Sequence, residues 1–167
     1  TDHHLPGELT PEADAIVNPN QRGCSFPSKS IAGVGVAFYL MLALRKYLRE
    51  QNWYFQQSFD EPNLAQLLDL VALGTVADVV SLDHNNRIMV EQGLKRIRAG
   101  LTRPGIQALI EVSGKNQQRL QASDFGFALA PRINAAGRLD EMSFGINCLL
   151  AKDISSARQM ASELDHL

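Results

Sequence analysis

Cysteine is scarce in this chain of 167 residues, with only Cys24 and Cys148 present and far apart. The absence of a CxxC pair argues against a disulfide scaffold and a thiolate zinc site, and it suits a reducing cytoplasm. No apolar run reaches the roughly 18 residues of a membrane span, and no signal-peptide pattern occurs, so we expect a cytoplasmic protein with no membrane association. P-loop, GxGxxG and GxSxG motifs are also missing, which leaves serine nucleophile chemistry without support.

A strong charge of either sign is also lacking, because the net charge is −2. The surface as a whole therefore does not attract nucleic acid. Between Asn86 and Arg119, however, the basic residues are Arg87, Lys95, Arg96, Arg98, Arg103, Lys115 and Arg119, against only Glu91 and Glu111. Such a basic region could follow a phosphate backbone. The alternative is an ordinary solvated helix face.

The stretch Leu67–Leu82 is almost wholly apolar yet carries two carboxylates. Asn63 is a candidate N-cap for a buried helix that reaches Leu73, and Gly74 is expected to end that helix. The following turn, Thr75–Val80, holds Asp78 among small and β-branched residues. An unpaired buried carboxylate is costly, so a cation is expected to meet Asp78. The alternative is that Asp78 caps a turn and faces water.

A second group of ligand-type residues, Thr1-Asp2-His3-His4, is followed by the turn signal Leu5-Pro6-Gly7 and then by a predicted short buried strand, Ala13–Val17. We expect Asp2, His3 and His4 at the end of an earlier strand, where ligands gather in open α/β sheets. The alternative is a surface pair or a tag remnant. Because the chain starts without methionine or a preceding strand, we expect an internal piece of a longer protein.

His3, His4, Asp2 and Asp78 could together serve a divalent metal. Imidazole nitrogen with carboxylate oxygen suits Mn²⁺, iron or Zn²⁺ better than Ca²⁺. Asp2 could instead accept the second ring N–H of a ligating histidine and fix its tautomer. These residues are too few for a closed site, so further carboxylates would have to come from elsewhere.

Helical patterns dominate the rest of the chain, so the predicted fold class is α/β, with few strands that continue into a mainly α-helical lobe. The predicted helices are Ile31–Gln51, Arg87–Ala99, Gly105–Val112, Phe125–Ala130 (closed by Pro131), Ser143–Leu150 and Ile154–Leu167. The predicted division places residues 1–82 in the first part and residues 83–167 in the helical part.

Two arginines, Arg132 and Arg138, flank small residues in the segment Arg132-Ile133-Asn134-Ala135-Ala136-Gly137-Arg138. A guanidinium beside an apolar surface usually has an anionic partner, since its planar fork fits carboxylate or phosphate. One interpretation is a phosphate clamp. The other is an ion pair to Asp140, Glu141 or Asp124.

Four blocks together resemble the DHH phosphoesterase superfamily and, within it, the exonucleases specific for single-stranded DNA. They are Thr1-Asp2-His3-His4, the segment from Asn18-Pro19 to Gly33-Val34-Gly35-Val36-Ala37-Phe38, Gly74-Thr75-Val76-Ala77-Asp78-Val79-Val80, and Pro131-Arg132-Ile133-Asn134-Ala135-Ala136-Gly137-Arg138. The resemblance implies an incomplete DHH-type parallel-sheet domain, with residues 1–82 as its C-terminal part. Residues 83–167 would be the helical part of the catalytic core, leading toward an absent DHH-associated domain.

The resemblance also implies a function: 5′-to-3′ hydrolysis of single-stranded DNA in repair and recombination, with two Mn²⁺ or Mg²⁺ ions. His3 and Asp78 would be metal ligands, His4 would face the scissile phosphate, and Asp2 would orient the histidines. Arg132 and Arg138 would contact DNA phosphate, with Asn134 and Gly137 shaping the loop. The implied partners are single-stranded DNA and a single-strand-binding protein or a helicase. The alternative function is hydrolysis of small phosphoesters or short oligonucleotides. Because the family's upstream aspartate motifs are absent, we expect the fragment alone to be inactive.

Overall fold

The described part of the chain is helical. The computed structural model describes residues 1–139 and 142–167, with side chains described for residues 1–137 and 142–167. The helices are α1 (Gly33–Glu50), α2 (Trp53–Gln56), α3 (Leu68–Ala77), α4 (His84–Arg98), α5 (Pro104–Val112), α6 (Ala122–Asp124), α7 (Ala130–Ala135), α8 (Ser143–Leu150) and α9 (Ile154–Asp165). Turns of 3₁₀ helix occupy Leu64–Leu67, Gln117–Arg119 and Ala136–Leu139, and one π-helical turn occupies Phe125–Leu129. None of the described helices combines the length and the apolar character needed to cross a membrane.

The predicted buried strand Ala13–Val17 is wrong for this structure, because no strand is present among the described residues. The segment is irregular and mostly exposed, with Ile16 half-buried. A single backbone hydrogen bond, from Asp2 N to Val17 O at 3.0 Å, joins it to the first residues of the chain. A strand requires repeated pairing with a neighbour, and one hydrogen bond does not provide it. The predicted parallel sheet is therefore not confirmed. The predicted helical character of residues 83–167 is confirmed in the described part of that range.

The prediction that Gly74 ends its helix is also wrong. Helix α3 continues through Gly74 to Ala77, and Asn63 caps the preceding 3₁₀ turn through its side chain, as expected. A Cβ atom at position 74 would lie 2.9 Å from the Val34 Cγ1 atom of α1. The glycine therefore serves close packing of α1 on α3, a role that local sequence does not distinguish from helix termination.

Helices α3 and α4 pack closely and divide the core into two connected clusters. A Cβ atom at Gly93 of α4 would lie 2.3 Å from the Leu68 carbonyl oxygen of α3, so the two backbones touch at this point. Met89 of α4 joins the smaller cluster with α1 and Val71, whereas Leu94 and Ile97 of the same helix join the larger one. Helix α4 therefore connects the first half of the chain to the helical second half.

The segment around Pro131 does not end where the sequence pattern predicts. Helical backbone runs through residues 122–139, with the π-helical turn in its middle and Pro131 in the first turn of α7. Proline has no N–H to donate, and here it comes just after the π-helical turn, where the regular hydrogen-bond spacing of the helix is already interrupted. The predicted closure of a helix at Pro131 is therefore wrong, and the segment instead forms one continuous helical path.

Candidate metal centre

The structure brings together His3 and Asp78, the two residues predicted to share a cation. His3 Nε2 lies 3.3 Å from Asp78 Oδ2, and their side chains are 17% and 39% exposed. The first belongs to the irregular N-terminal segment and the second to the end of α3. An imidazole and a carboxylate from two distant parts of the chain thus meet at the surface, where both retain access to solvent.

An open cavity of about 360 Å³ lies in front of this pair. Its walls come from the start of α1 and the end of α3, together with His3 and Asp78. Gly33 at the start of α1 has no side chain to intrude: a Cβ atom there would lie 3.4 Å from His3 Cδ2. The close contact between Gly74 and Val34 draws the two helices together, and this approach sets the width of the cavity.

The termination of α3 fixes the position of Asp78. The Asp78 N–H donates to the Gly74 carbonyl at 3.0 Å, and the helix then ends as Val79 adopts a left-handed conformation with φ of 59°. That conformation is a costly outlier for a β-branched residue. Val79 is also 87% exposed. The chain thus reverses directly after Asp78 and leaves the carboxylate at the rim of the cavity.

Asp2 organises the two histidines through its Oδ1 atom. This atom lies 2.7 Å from the backbone nitrogen of His3 and 2.7 Å from the His4 Nδ1 atom. These hydrogen bonds, with the ring of His4 as the largest cause, lower the pKa of Asp2 to about 2. Asp2 is therefore ionised at neutral pH and can only accept, so His4 Nδ1 carries a proton and His4 Nε2 points away from Asp2. Its ring partner is His4 and not the predicted ligand His3.

The loop that follows the N-terminal segment holds the histidine backbone in place. Asn20 Nδ2 donates to the His3 carbonyl at 2.7 Å, and Asn18 Nδ2 donates to the His4 carbonyl at 2.9 Å. Lys29 closes the same loop by donating from Nζ to the Pro19 and Cys24 carbonyls. No motif in the sequence assigns this role to Asn18 and Asn20. Their side-chain amides replace the pairing that a strand neighbour would supply.

A buried side chain of α4 ties the same region to the helical core. Asn86 is completely buried, and its Nδ2 donates to the Ser30 carbonyl at 2.8 Å and to the Ser81 carbonyl at 2.9 Å. Ser30 precedes α1, and Ser81 follows the turn that holds Asp78. Asn86 thereby holds the loop before α1 and the loop after α3 in a fixed relative position, and these two helices form the walls of the cavity. Nothing in the sequence indicated this role, because Asn86 belongs to no recognisable motif.

The donor set of the pair fits a divalent transition metal or Mg²⁺ as part of a larger site. Two ligands at about 2.1 Å from one ion lie about 3.0 Å apart in an octahedral site and about 3.4 Å apart in a tetrahedral one. The observed separation is 3.3 Å. Within the described ranges no group of three or more His, Cys, Asp or Glu side chains could hold a metal ion. The pair by itself therefore supplies two of the roughly four to six ligands that such an ion takes.

Arg132 forms an ion pair with Asp165, a partner that the sequence did not suggest. Its Nε and Nη2 atoms lie 2.7 and 2.6 Å from Asp165 Oδ1 of α9, and Nη1 donates to the Ala128 carbonyl at 2.7 Å. Asp124 is bound by Lys115 instead, and Asp140 and Glu141 lie outside the described residues. The Arg132 side chain is 25% exposed, and its guanidinium has five N–H groups, so it retains donors for a phosphate beyond those bound by Asp165 and Ala128.

The other predicted phosphate-binding residues lie near Arg132 in the chain. Asn134 and Gly137 are both exposed. The side chain of Arg138 lies outside the part of the chain that the structure describes. The π-helical turn before Arg132 contacts α3, since a Cβ atom at Gly126 would lie 3.5 Å from Val76 Cγ1. Val76 is two residues before Asp78, so this contact joins the arginine segment to the helix that carries the carboxylate.

Several residues of the basic region have carboxylate partners within the chain. Arg103 binds the buried Asp69, Lys115 binds Asp124, and Lys95 and Arg98 both lie 3.9 Å from Glu91. Much of this positive charge is therefore used in structural ion pairs. The alternative interpretation, a helix face without a nucleic-acid role, accounts for these four residues.

Comparisons with known proteins agree with the geometry. Residues 1–75 match the DHH family, N-terminal domain. The whole chain aligns with the single-stranded-DNA-specific exonuclease RecJ of Salmonella typhimurium at 65% sequence identity. The aligned region is 29% of the length of that protein. A crystal structure of exonuclease RecJ bound to manganese is similar, with 36% sequence identity and a TM-score of 0.78. The alignment covers 99% of the present chain and 38% of the RecJ chain. The crystal structure of RecJ from Thermus thermophilus in complex with Mn²⁺ has 34% sequence identity and a TM-score of 0.76. That alignment covers 99% of the present chain and 23% of the Thermus thermophilus chain.

These matches confirm the resemblance expected from the four sequence blocks. The chain spans about 29% of the length of the RecJ proteins from Salmonella typhimurium and Escherichia coli.

Proposed function

We propose that these residues form part of the catalytic core of a metal-dependent exonuclease, which hydrolyses single-stranded DNA from the 5′ end during repair and recombination. The observation that carries the proposal is the convergence of His3 Nε2 and Asp78 Oδ2 to 3.3 Å. The identity to RecJ across the whole chain supports the choice of substrate. A single-strand-binding protein or a helicase would deliver the DNA, and the reaction would take place in the cytoplasm.

His3 and Asp78 are the residues of this chain that would hold one of the Mn²⁺ or Mg²⁺ ions. When bound, a pair of such ions supplies a metal-activated hydroxide at neutral pH and offsets the charge of the phosphate oxygens. The further ligands would come from residues outside this chain. For that reason the 167 residues alone are expected to bind metal weakly and to be nearly inactive.

His4 and Asp2 would act on the substrate side of the same site. The His4 side chain is 77% exposed, and its Nδ1 proton is committed to the Asp2 carboxylate. Its Nε2 atom is therefore the one available to face the scissile phosphate, as a hydrogen-bond donor when the ring is protonated. Asp2 would hold that ring in one tautomer and one orientation, which reduces the cost of positioning it for each reaction.

Arg132 would contact the DNA backbone, with Arg138 as a second phosphate contact and with Asn134 and Gly137 shaping the turn between them. The Arg132–Asp165 ion pair fixes the guanidinium on the surface beside the π-helical turn. Its remaining N–H groups would meet phosphate oxygens. The proposed division places residues 1–82 in the DHH domain and residues 83–167 in the helical part of the core.

The test uses the full-length protein with Mn²⁺ and single-stranded oligonucleotides labelled at the 5′ or the 3′ end. His3→Ala and Asp78→Asn should abolish hydrolysis and leave DNA affinity nearly unchanged, because both residues act on the metal. His84→Ala and Asp60→Asn, at exposed positions elsewhere, serve as matched controls and should keep full activity. Wild-type turnover in either site variant would overturn the proposal.

Arg132→Ala separates phosphate binding from metal binding in the same assay. It should weaken binding to all sequences and lower the slope of log affinity against log salt by about 1. Hydrolysis of a dinucleotide in preference to long single strands would instead favour the alternative, a phosphoesterase for small substrates.

A further inference from the structure

An exposed aromatic ring lies on the path between the arginine segment and α3. Phe127 is 86% exposed, although its neighbours Phe125, Ala128 and Leu129 are buried in the larger core cluster. The three buried residues fix the backbone on which the ring stands. An aromatic side chain held outward on a rigid backbone can bind a flat partner without paying to order itself first.

The local backbone is unusual at this position. Phe127 is the middle residue of the π-helical turn Phe125–Leu129, in which the Ala130 N–H donates to the Phe125 carbonyl five residues earlier. Turns of this kind cost stability relative to regular α-helix and are frequent at functional sites. The turn here widens the helix directly before α7, the helix that carries Arg132.

The chemistry around the ring is that of a nucleotide site. Arg132 Nη1 donates to the carbonyl of Ala128, the residue adjacent to Phe127, at 2.7 Å. On the other side, a Cβ atom at Gly126 would lie 3.5 Å from Val76 Cγ1, two residues before Asp78, so the backbone of the turn lies close to α3. Three features therefore lie within a few residues of one another. They are the Arg132 cation, which can bind a phosphate, the Phe127 ring, which can bind a base, and helix α3, which ends at Asp78.

Exposure alone does not make this argument, because single exposed apolar residues are common on protein surfaces. Phe55 is 88% exposed and belongs to α2, a four-residue helix with no buried residue, far along the chain from Arg132 and Asp78. The two phenylalanines therefore provide a matched pair that differs in location and not in exposure.

We infer that Phe127 is a stacking platform for a base of the single-stranded DNA substrate, an inference that rests on the proposed function. The ring binds a base through its face, while Arg132 binds a phosphate of the same strand. Such stacking accepts any base, because every base presents a π-face. Phe127 is thus a positioning residue that sets affinity for single strands and does not act on the scissile bond.

The test compares four variants of the full-length protein: Phe127→Ala, Phe127→Leu, Phe127→Trp and Phe55→Ala. Loss of one stacking contact predicts that Phe127→Ala weakens the affinity for a single-stranded oligo(dT) by about 5- to 150-fold. KM should rise by a similar factor while kcat changes little. Phe127→Trp should restore binding, and Phe127→Leu should not, because leucine keeps the apolar contact but lacks the π-face. Phe55→Ala should bind as the wild type does.

A second substrate isolates the base from the backbone. With an oligonucleotide that carries abasic sites throughout, Phe127→Ala and the wild type should bind equally, since no base is left to stack. Wild-type binding of oligo(dT) by Phe127→Leu would overturn the inference. A melting temperature far below that of Phe55→Ala would overturn it too, because Phe127 would then be an interior residue of the full-length protein. If the wild type neither binds nor degrades oligo(dT), the proposed function itself fails.

Discussion

Replacement of Arg103 by methionine should destabilise this chain strongly, because it removes the cationic partner of a buried carboxylate. The Arg103 guanidinium binds the carboxylate of Asp69, whose side chain is only 1% exposed, through Nη2 at 2.9 Å and Nε at 3.1 Å. Methionine keeps most of the side-chain volume but removes the charge. The Asp69 carboxylate would then remain buried with only neutral donors, the Leu70 N–H, the Thr102 hydroxyl and the Arg103 N–H.

The size of the effect follows from this geometry. Breaking a buried ion pair by removal of one partner costs about 3–5 kcal/mol. Arg103 itself is 19% exposed, so water reaches one side of the pair, and three neutral hydrogen bonds persist. We therefore expect a loss at the lower end of that range, about 3 kcal/mol in the free energy of unfolding. For a chain of this length that corresponds to a fall of about 6–12 °C in the melting temperature.

Urea denaturation followed by circular dichroism measures this loss directly. Arg119→Met is the matched control, since Arg119 is exposed, and it should change stability by no more than about 0.5 kcal/mol. The double variant Asp69→Asn/Arg103→Met should recover part of the loss, because the amide carries no buried charge. Equal stability of Arg103→Met and Arg119→Met would refute the reasoning, as it would mean that the buried carboxylate does not need its partner.

Two further perturbations test the packing and the pH response. Gly93→Ala should lower the free energy of unfolding, measured by urea denaturation, by about 1–3 kcal/mol. The added Cβ would lie 2.3 Å from the Leu68 carbonyl oxygen and would push α4 away from α3. Unchanged stability would show that the two helices can separate freely. Burial raises the pKa of Asp124, but the Gln121 N–H and the Lys115 ammonium outweigh it and hold the pKa below its usual value. The stabilisation from Asp124 should therefore be present above the ordinary aspartate pKa of about 3.9 and be lost as the pH falls through the lowered pKa of the folded state. Urea titrations should show a weaker acid dependence in Lys115→Met than in the wild type.

The sequence predicted the second half of the fold well because its helices have strong local signals. Ser143–Leu150 has the predicted bounds, and the helix predicted at Gly105–Val112 begins one residue earlier, at Pro104 in its first turn. Both patterns depend on short-range preferences, namely apolar spacing and the cost of a missing N–H. Such signals need no knowledge of what the helix packs against.

The errors arose where distant residues decide the local conformation. Gly74 has the same sequence signature whether it ends a helix or admits Val34 from another helix, and only the three-dimensional contact distinguishes the two cases. The segment Ala13–Val17 has a strand pattern, but a strand requires a neighbour to pair with, and the described residues offer one hydrogen bond. The partner of Arg132 was missed for the same reason, since Asp165 lies far along the chain in α9.

The candidate site could be predicted mainly from the types of its residues, because their spacing along the chain does not show which side chains meet. Imidazole and carboxylate side chains indicated a cation before any contact was known, and the structure places His3 and Asp78 within 3.3 Å. The supporting side chains Asn18, Asn20 and Asn86 had no such signal, because an asparagine in a loop is ordinarily a turn residue. Their function became visible only through the carbonyls that they bind.

The two halves of the ligand pair are anchored in different ways. Asp78 stands at the end of a packed helix, whereas side-chain amides from Asn18 and Asn20 contribute most of the described hydrogen bonds that secure the segment of His3. Opening of a segment secured in this way requires far less free energy than unfolding of the core. Among the described residues, loss of either asparagine amide should therefore loosen the backbone of His3 or His4 without disturbing the helix that ends at Asp78.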